Sequence, residues 1–147
     1  MEQRDQSDPS KEEADRLRWR AGLLRDISAT MDSEQLLALL CEQLLLIDGV
    51  DGTIITLLDQ AGEHLVVKAS KFPGDLHFLE STFREYRFSL NGQDNPHLAA
   101  LRERTTQVAD ALTGTEVEKK ALELWHLRQS VAWPILAADQ AVGTVMV

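Results

Sequence analysis

Apolar positions along this chain fall into blocks, and the spacing inside each block predicts an element. Leu17, Leu24 and Met31 recur seven apart, with Ala21 and Ile27 between them. That is the spacing of a helix with one apolar stripe. Ser10 and Glu13 make the S-x-x-E pattern of a capping box, which starts the helix at Lys11. Arg20 and Ser28 interrupt the stripe, so it reads as a short seam. The helix packs either on its own domain or on a second copy, and the seven-residue interval favours the second copy. Residues 1–9 are polar, end at Pro9, and read as a disordered lead-in.

A second helix is predicted behind Asp32, with Gln35 three residues on. Ten of the twelve residues from Leu36 to Ile47 are apolar. A helix apolar nearly all round needs cover on more than one side. Asp48-Gly49 should end it, with glycine in the left-handed position. Thr53 to Leu58 and Leu65 to Ala69 are rich in β-branched and apolar residues, and Asp59-Gln60-Ala61-Gly62 joins them as a turn. Asp75 should cap a helix presenting Leu76, Leu79 and Phe83. A short strand follows at Arg87 to Leu90. Asn95-Pro96 opens a further helix with a cap and a first-turn proline, and it should stop near Arg104. Gln107 to Ala109 is a short strand leading to Asp110. Either Thr113 with Glu116 or Thr115 with Glu118 caps a helix running to about Leu127. Ser130 to Leu136 and Ala141 to Val147 read as a closing hairpin. Pro134 lacks an N–H, so its strand must be an edge or carry a bulge there. Two hairpins separated by helices imply an α+β fold with one mostly antiparallel sheet. The chain stops at Val147 inside a predicted strand, so it is expected to be a piece of a longer protein.

Composition narrows the function. The 147 residues suit one domain, and 44% are apolar, enough for a core. The net charge of −9 argues against nucleic acid or an anionic membrane as partner, because both would be repelled. The longest apolar run, Leu36 to Cys41, is too short to span a bilayer. The first residues carry no apolar signal segment, so a cytoplasmic location is expected. Cys41 is the only cysteine, which excludes an internal disulfide and any C-x-x-C metal site.

Motifs for catalysis are absent: no G-x-S-x-G, no H-E-x-x-H, no phosphate loop and no G-x-G-x-x-G. The four histidines, at 64, 77, 97 and 126, lack metal-ligand spacing. The chain is therefore read as a non-enzyme without a metal. Charge is uneven: eight acids and no base lie between Asp26 and Val67. Lys68, Lys71, Arg84 and Arg87 follow, where they would meet an anionic group if a pocket forms, or else act as solvated loop charges. Phe78, Phe83, Tyr86 and Phe88 cluster within eleven residues, and Trp125 and Trp133 lie in the last third. Such aromatics wall a ligand cavity or simply build core.

Three stretches in order resemble a GAF domain and together cover most of residues 30–147. The first is the helix from Asp32 to Ile47 followed by Asp51 to Ala69. The second is Gln107-Val108-Ala109-Asp110 and the helix behind it. The third is the most specific: Leu127-Arg128-Gln129-Ser130-Val131-Ala132-Trp133-Pro134-Ile135, then Val142-Gly143-Thr144-Val145-Met146-Val147. It looks like the family's "RS…vPL … iGvl.l" ending. Gln129 stands where the family usually has serine, and the family's closing helix would lie beyond Val147.

The resemblance implies a central antiparallel sheet flanked by helices with a cavity on one face. It implies a small-molecule-sensing regulatory module in a larger signal-transduction protein, upstream of a kinase, cyclase or phosphodiesterase. The expected organisation is a lead-in at 1–9, a signalling and dimerisation helix at 10–31, and the GAF-like domain at 32–147. The module would act as a homodimer whose arrangement a ligand biases. Asp110 would stand at the pocket mouth, with Phe78, Tyr86, Trp125 and Trp133 as wall candidates. The marks of cyclic-nucleotide and bilin binders are missing, so no cofactor is assigned. A haem would need an axial ligand from His77, His97 or His126. Cys41 alone does not supply the cysteines of the methionine-sulfoxide-reducing members. The alternatives are a dimerisation module with a closed, empty core, a small reductase of that type, or another sheet-and-helix sensor fold such as PAS.

Overall fold

The computed structural model describes residues 14–21, 32–92, 95–124 and 127–147. The predicted start at Lys11, the Ser10–Glu13 capping box, and Leu24, Ile27 and Met31 of the proposed seam lie outside these residues. Residues 14–21 are helical (α1), with Leu17 and Trp19 exposed. The chain divides into two units, Met1–Leu36 and Leu37–Val147, and the whole sheet lies in the second.

Helix α2 spans Ser33–Leu44. Asp32 caps it, its carboxylate accepting from the Glu34 N–H at 2.9 Å. The regular helix stops three residues before the predicted Ile47. Leu46 and Ile47 close tighter bonds to the carbonyls of Gln43 and Leu44, which draws the backbone out of α geometry. Gly49 then takes the left-handed conformation, φ +85°. The expectation of cover all round α2 is not met within this unit. Cys41 is its one fully buried residue, and Leu46 and Ile47 are exposed.

Six strands form one sheet: β1 Thr53–Leu58, β2 His64–Lys71, β3 Arg87–Ser89, β4 Gln107–Asp110, β5 Gln129–Ala137 and β6 Gln140–Met146. Their order is β3-β2-β1-β6-β5-β4, and every neighbouring pair is antiparallel. The two predicted hairpins are β1–β2 and β5–β6, and they join through β1 and β6 at the middle. The β1–β2 turn is held by Asp59, whose carboxylate accepts from the N–H groups of Glu63 (2.9 Å) and His64 (3.3 Å). Val131 and Val147 exchange both backbone hydrogen bonds, so Ala132 and Pro134 are non-hydrogen-bonded toward β6. Their nitrogens face the β4 side. There β4 ends opposite Ala132, so Pro134 meets no strand and its missing N–H costs nothing. The ladder irregularity falls just beyond, between Ile135 and Leu136.

Helices α3 (Phe78–Arg84) and α4 (Pro96–Glu103) cover one face. Ile54, Val67, Ala132 and Met146 from the sheet pack there with Leu79 and Phe83 of α3, Ala100 of α4, and Phe72. Leu65, Leu98 and Leu101 form a second cluster. Each fully buried leucine or isoleucine of these clusters contributes about 2 kcal/mol. Asn95 caps α4 as its sequence predicts, accepting from the Leu98 N–H at 3.0 Å, with Pro96 in the first turn and Arg104 left-handed at the end. Asp75 does not cap α3. It lies inside a 3-10 turn, Gly74–Leu76, that precedes the helix. Helix α5 spans Glu116–Leu124, and the two residues between it and the predicted end at Leu127 lie outside the described residues. Its capping box is Thr115 with Glu118: the Thr115 hydroxyl accepts from the Glu118 N–H (3.3 Å), and the Glu118 carboxylate from the Thr115 N–H (2.8 Å).

One polar cluster is buried in the core. The His97 Nδ1 lies 2.6 Å from the Thr144 hydroxyl, which lies 2.7 Å from the Thr56 hydroxyl. The His97 ring stacks on Phe88, with ring centres 5.2 Å apart. This chain ties α4 to the paired middle strands β1 and β6. On the opposite face, the Thr53 hydroxyl donates to the Cys41 sulfur at 3.3 Å and anchors α2 to the start of β1.

Candidate functional site

Strands β1 and β5 both run opposite to β6, so they start at the end of the sheet where β6 finishes. Strand β2, antiparallel to β1, also finishes there. A cavity of about 390 Å³ opens at this end, within the usual size range of small-molecule sites. Ile54, Phe72, Phe83 and Met146 give it apolar walls, and Asp51, Thr53, Arg128, Gln129 and Ser130 give it polar ones.

The local sequence explains this hollow. Gly49 and Gly52 carry the chain from α2 into β1. A side chain on Gly52 would overlap the Phe72 ring, so only glycine lets that ring lie against the β1 approach. Phe72 in turn stacks on Phe83, with ring centres 5.6 Å apart and planes 17° apart. The Glu80 carboxylate accepts from the Phe72 N–H at 2.9 Å and holds the segment against α3.

The polar side is held differently. Gln129 donates its side-chain amide to the Asp110 carboxylate at 3.3 Å. Asp110 also accepts from the N–H groups of Leu112 (2.7 Å) and Thr113 (3.3 Å), which fixes the turn after β4. Ser130 is buried, and Arg128 and Asp51 are exposed. Among the described residues neither Arg128 nor Asp51 has an ion-pair partner, and they do not pair with each other. The Cys41 thiol does not line the cavity. Burial pushes its pKa up, only partly offset by the Thr53 hydroxyl, which is the reverse of what a nucleophile needs.

Of the residues singled out from sequence, Phe83 lines this cavity, while Phe78, Tyr86, Asp110 and Trp133 are not in its lining. Phe78, Tyr86 and Trp133 are 58%, 45% and 39% exposed. Tyr86 touches the site indirectly, its ring packed on Phe83 at 5.7 Å. Asp110 stands behind Gln129 and does not cap α5, a role taken by Thr115. Trp125 and His126 lie outside the described residues. His77 is exposed on α3's approach, and His97 is enclosed by Phe88 and Thr144, so neither faces the cavity. Lys68, Lys71, Arg84 and Arg87 do not line it either; its cation is Arg128. Arg128 and Gly52 were missed because their value depends on three strand ends meeting. The one sequence signal was that Arg128 lies in the most family-like segment. Among the described residues no group of three or more His, Cys, Asp or Glu could hold a metal, and no helix is long and apolar enough to cross a membrane.

No protein-family model and no curated protein matches the sequence. Solved structures do match the fold. The GAF domain of an Acinetobacter phosphoenolpyruvate-protein phosphotransferase aligns with a TM-score of 0.65 at 14% identity, covering 88% of this chain and 73% of that one. The nlh2 GAF domain of A. aeolicus, in an inactive state, aligns with a TM-score of 0.67 at 13% identity, covering 88% and 76%. A free methionine-R-sulfoxide reductase from Neisseria meningitidis, in complex with its substrate, aligns with a TM-score of 0.62 at 14% identity, covering 87% and 71%. The chain therefore has a GAF-like fold: an antiparallel six-stranded sheet flanked by helices.

Proposed function

We propose that this chain is a small-molecule-sensing regulatory module of a larger signal-transduction protein. The observation that carries the reading is the cavity of about 390 Å³ at the sheet end, walled by Ile54, Phe72 and Phe83 and rimmed by unpaired charges. A GAF-like fold, shared with domains of regulatory proteins, supports it. The module is read as cytoplasmic, non-catalytic, and without nucleic acid as partner.

In this reading the chain works as a homodimer through the helix at 10–31, ahead of a GAF-like domain at 32–147. A ligand that prefers one arrangement of the two copies shifts the population toward it. Moving the balance from 1:99 to 99:1 takes about 5.5 kcal/mol of differential binding. The shifted dimer then acts on an output domain such as a kinase, cyclase or phosphodiesterase. The ligand contacts proposed are the cavity residues. Tyr86 backs the lining through Phe83 and Asp110 through Gln129, and Trp125 is the further wall residue whose substitution by alanine should weaken ligand binding.

The second reading is a ligand-free interaction module. It is favoured by apolar side chains on the sheet's β4–β5 side: Val108, Trp133 and Leu136 are all exposed. Native mass spectrometry beside a denatured control separates the two. A dimer carrying extra mass that denaturation releases supports the sensor. A dimer of bare mass at every preparation supports the interaction module. A monomer at all concentrations removes the seam at 10–31 from both.

A further inference from the structure

We propose that the cavity takes a small zwitterion with an apolar body, its ammonium held by Asp51 and its carboxylate by Arg128. The proposal rests on the ligand-binding reading and names its chemistry. Asp51 lies two residues before β1, and Arg128 lies immediately before β5. Both line the cavity. Strands β1 and β5 pair with opposite edges of β6, so two strand spacings separate their starts, about 10 Å. The two charges thus flank the end of β6 with the hollow between them. They do not pair with each other, and neither has another ion-pair partner among the described residues.

Charge selects among ligand types. A simple anion meets Arg128 but also Asp51, within a chain of net charge −9 that opposes it. A simple cation meets Asp51 but is repelled by Arg128. A molecule bearing both charges close together, as an α-amino acid does, satisfies the two residues at once. The apolar walls of Ile54, Phe72 and Phe83 take an apolar side chain.

The test is calorimetric titration of the 147-residue chain with four probes of one shape. These are L-phenylalanine (both charges), 3-phenylpropionate (anion), 2-phenylethylamine (cation) and 3-phenylpropanamide (neutral). L-phenylalanine should bind at least tenfold tighter than the other three. Asp51→Asn should bring it down to the level of 3-phenylpropionate, and Arg128→Gln to the level of 2-phenylethylamine. Both side chains are exposed, and circular dichroism checks that the variants stay folded. A singly charged probe that binds as well as L-phenylalanine overturns the proposal, as does a ranking that neither substitution changes. Equal binding of all four, the neutral probe included, overturns the charge assignment and leaves the ligand-binding reading standing. Binding by none of them overturns this proposal, while the native mass measurement judges the ligand-binding reading on its own.

Discussion

Gln129 donates its side-chain amide to the Asp110 carboxylate at 3.3 Å, which links the end of β4 to the start of β5 beside the cavity. The same carboxylate holds the Leu112 and Thr113 N–H groups. Asp110→Ala should therefore lose about 1–2 kcal/mol of stability by urea denaturation. Asp110→Asn, which keeps an acceptor oxygen for the turn, should lose less than half of that. Equal losses would remove the turn-holding role.

His97 gives the fold a defined acid sensitivity. Burial pushes its pKa down from 6.5 to about 3. The folded protein holds the ring neutral, while the unfolded chain protonates it near pH 6.5. Stability is therefore fully present above pH 6.5 and is lost as pH falls toward 3, with a slope of up to about 1.4 kcal/mol per pH unit. Urea midpoints between pH 7 and pH 4.5 should show this decline. His97→Gln should flatten it, since most carboxylates titrate below that window.

Gly143 sits where β6 lies tightly against β1. A side chain there would overlap the Thr56 carbonyl oxygen, and that backbone has no room to yield inside the sheet. Gly143→Ala should cost about 2–3 kcal/mol. A variant with an unchanged urea midpoint would mean that β1 and β6 separate more readily than their register implies.

Cys41 should be inert while the protein is folded. It is 1% exposed, and burial raises its thiol pKa. A thiol reagent such as Ellman's should react at the unfolding rate, and quickly only in denaturant. Cys41→Ser should leave ligand binding unchanged. Loss of binding in that variant would revive the reductase-like alternative.

Elements with their own local signals were legible in the sequence. The β1–β2 turn, the Asn95-Pro96 start of α4, the Thr115–Glu118 capping box and the final hairpin each carry their chemistry within a few residues. Where competing local signals or distant partners decide the position, the reading failed. Asp75 looks like a cap, but Pro73 and Gly74 place it inside a 3-10 turn. The run through Ile47 looks like continuous helix, but its last turn tightens before Gly49. Of the aromatic block from Phe78 to Phe88, Phe83 alone lines the cavity. That ring stacks on Phe72, which lies in the space left by Gly52, twenty residues upstream of Phe72 and invisible to a local reading.

The central place of β6 sets a timetable for folding. Strands β1, β2 and β3 can pair as soon as they exist, and so can β4 with β5, but these make two half-sheets with bare inner edges. Only residues 140–146 join them, by pairing with Ile54–Leu57 almost ninety positions earlier. Closing so long a loop is slow and comes late. During synthesis the nascent chain must wait for β6 with two sticky edges exposed, so a chain cut short before Gln140 would be primed to aggregate.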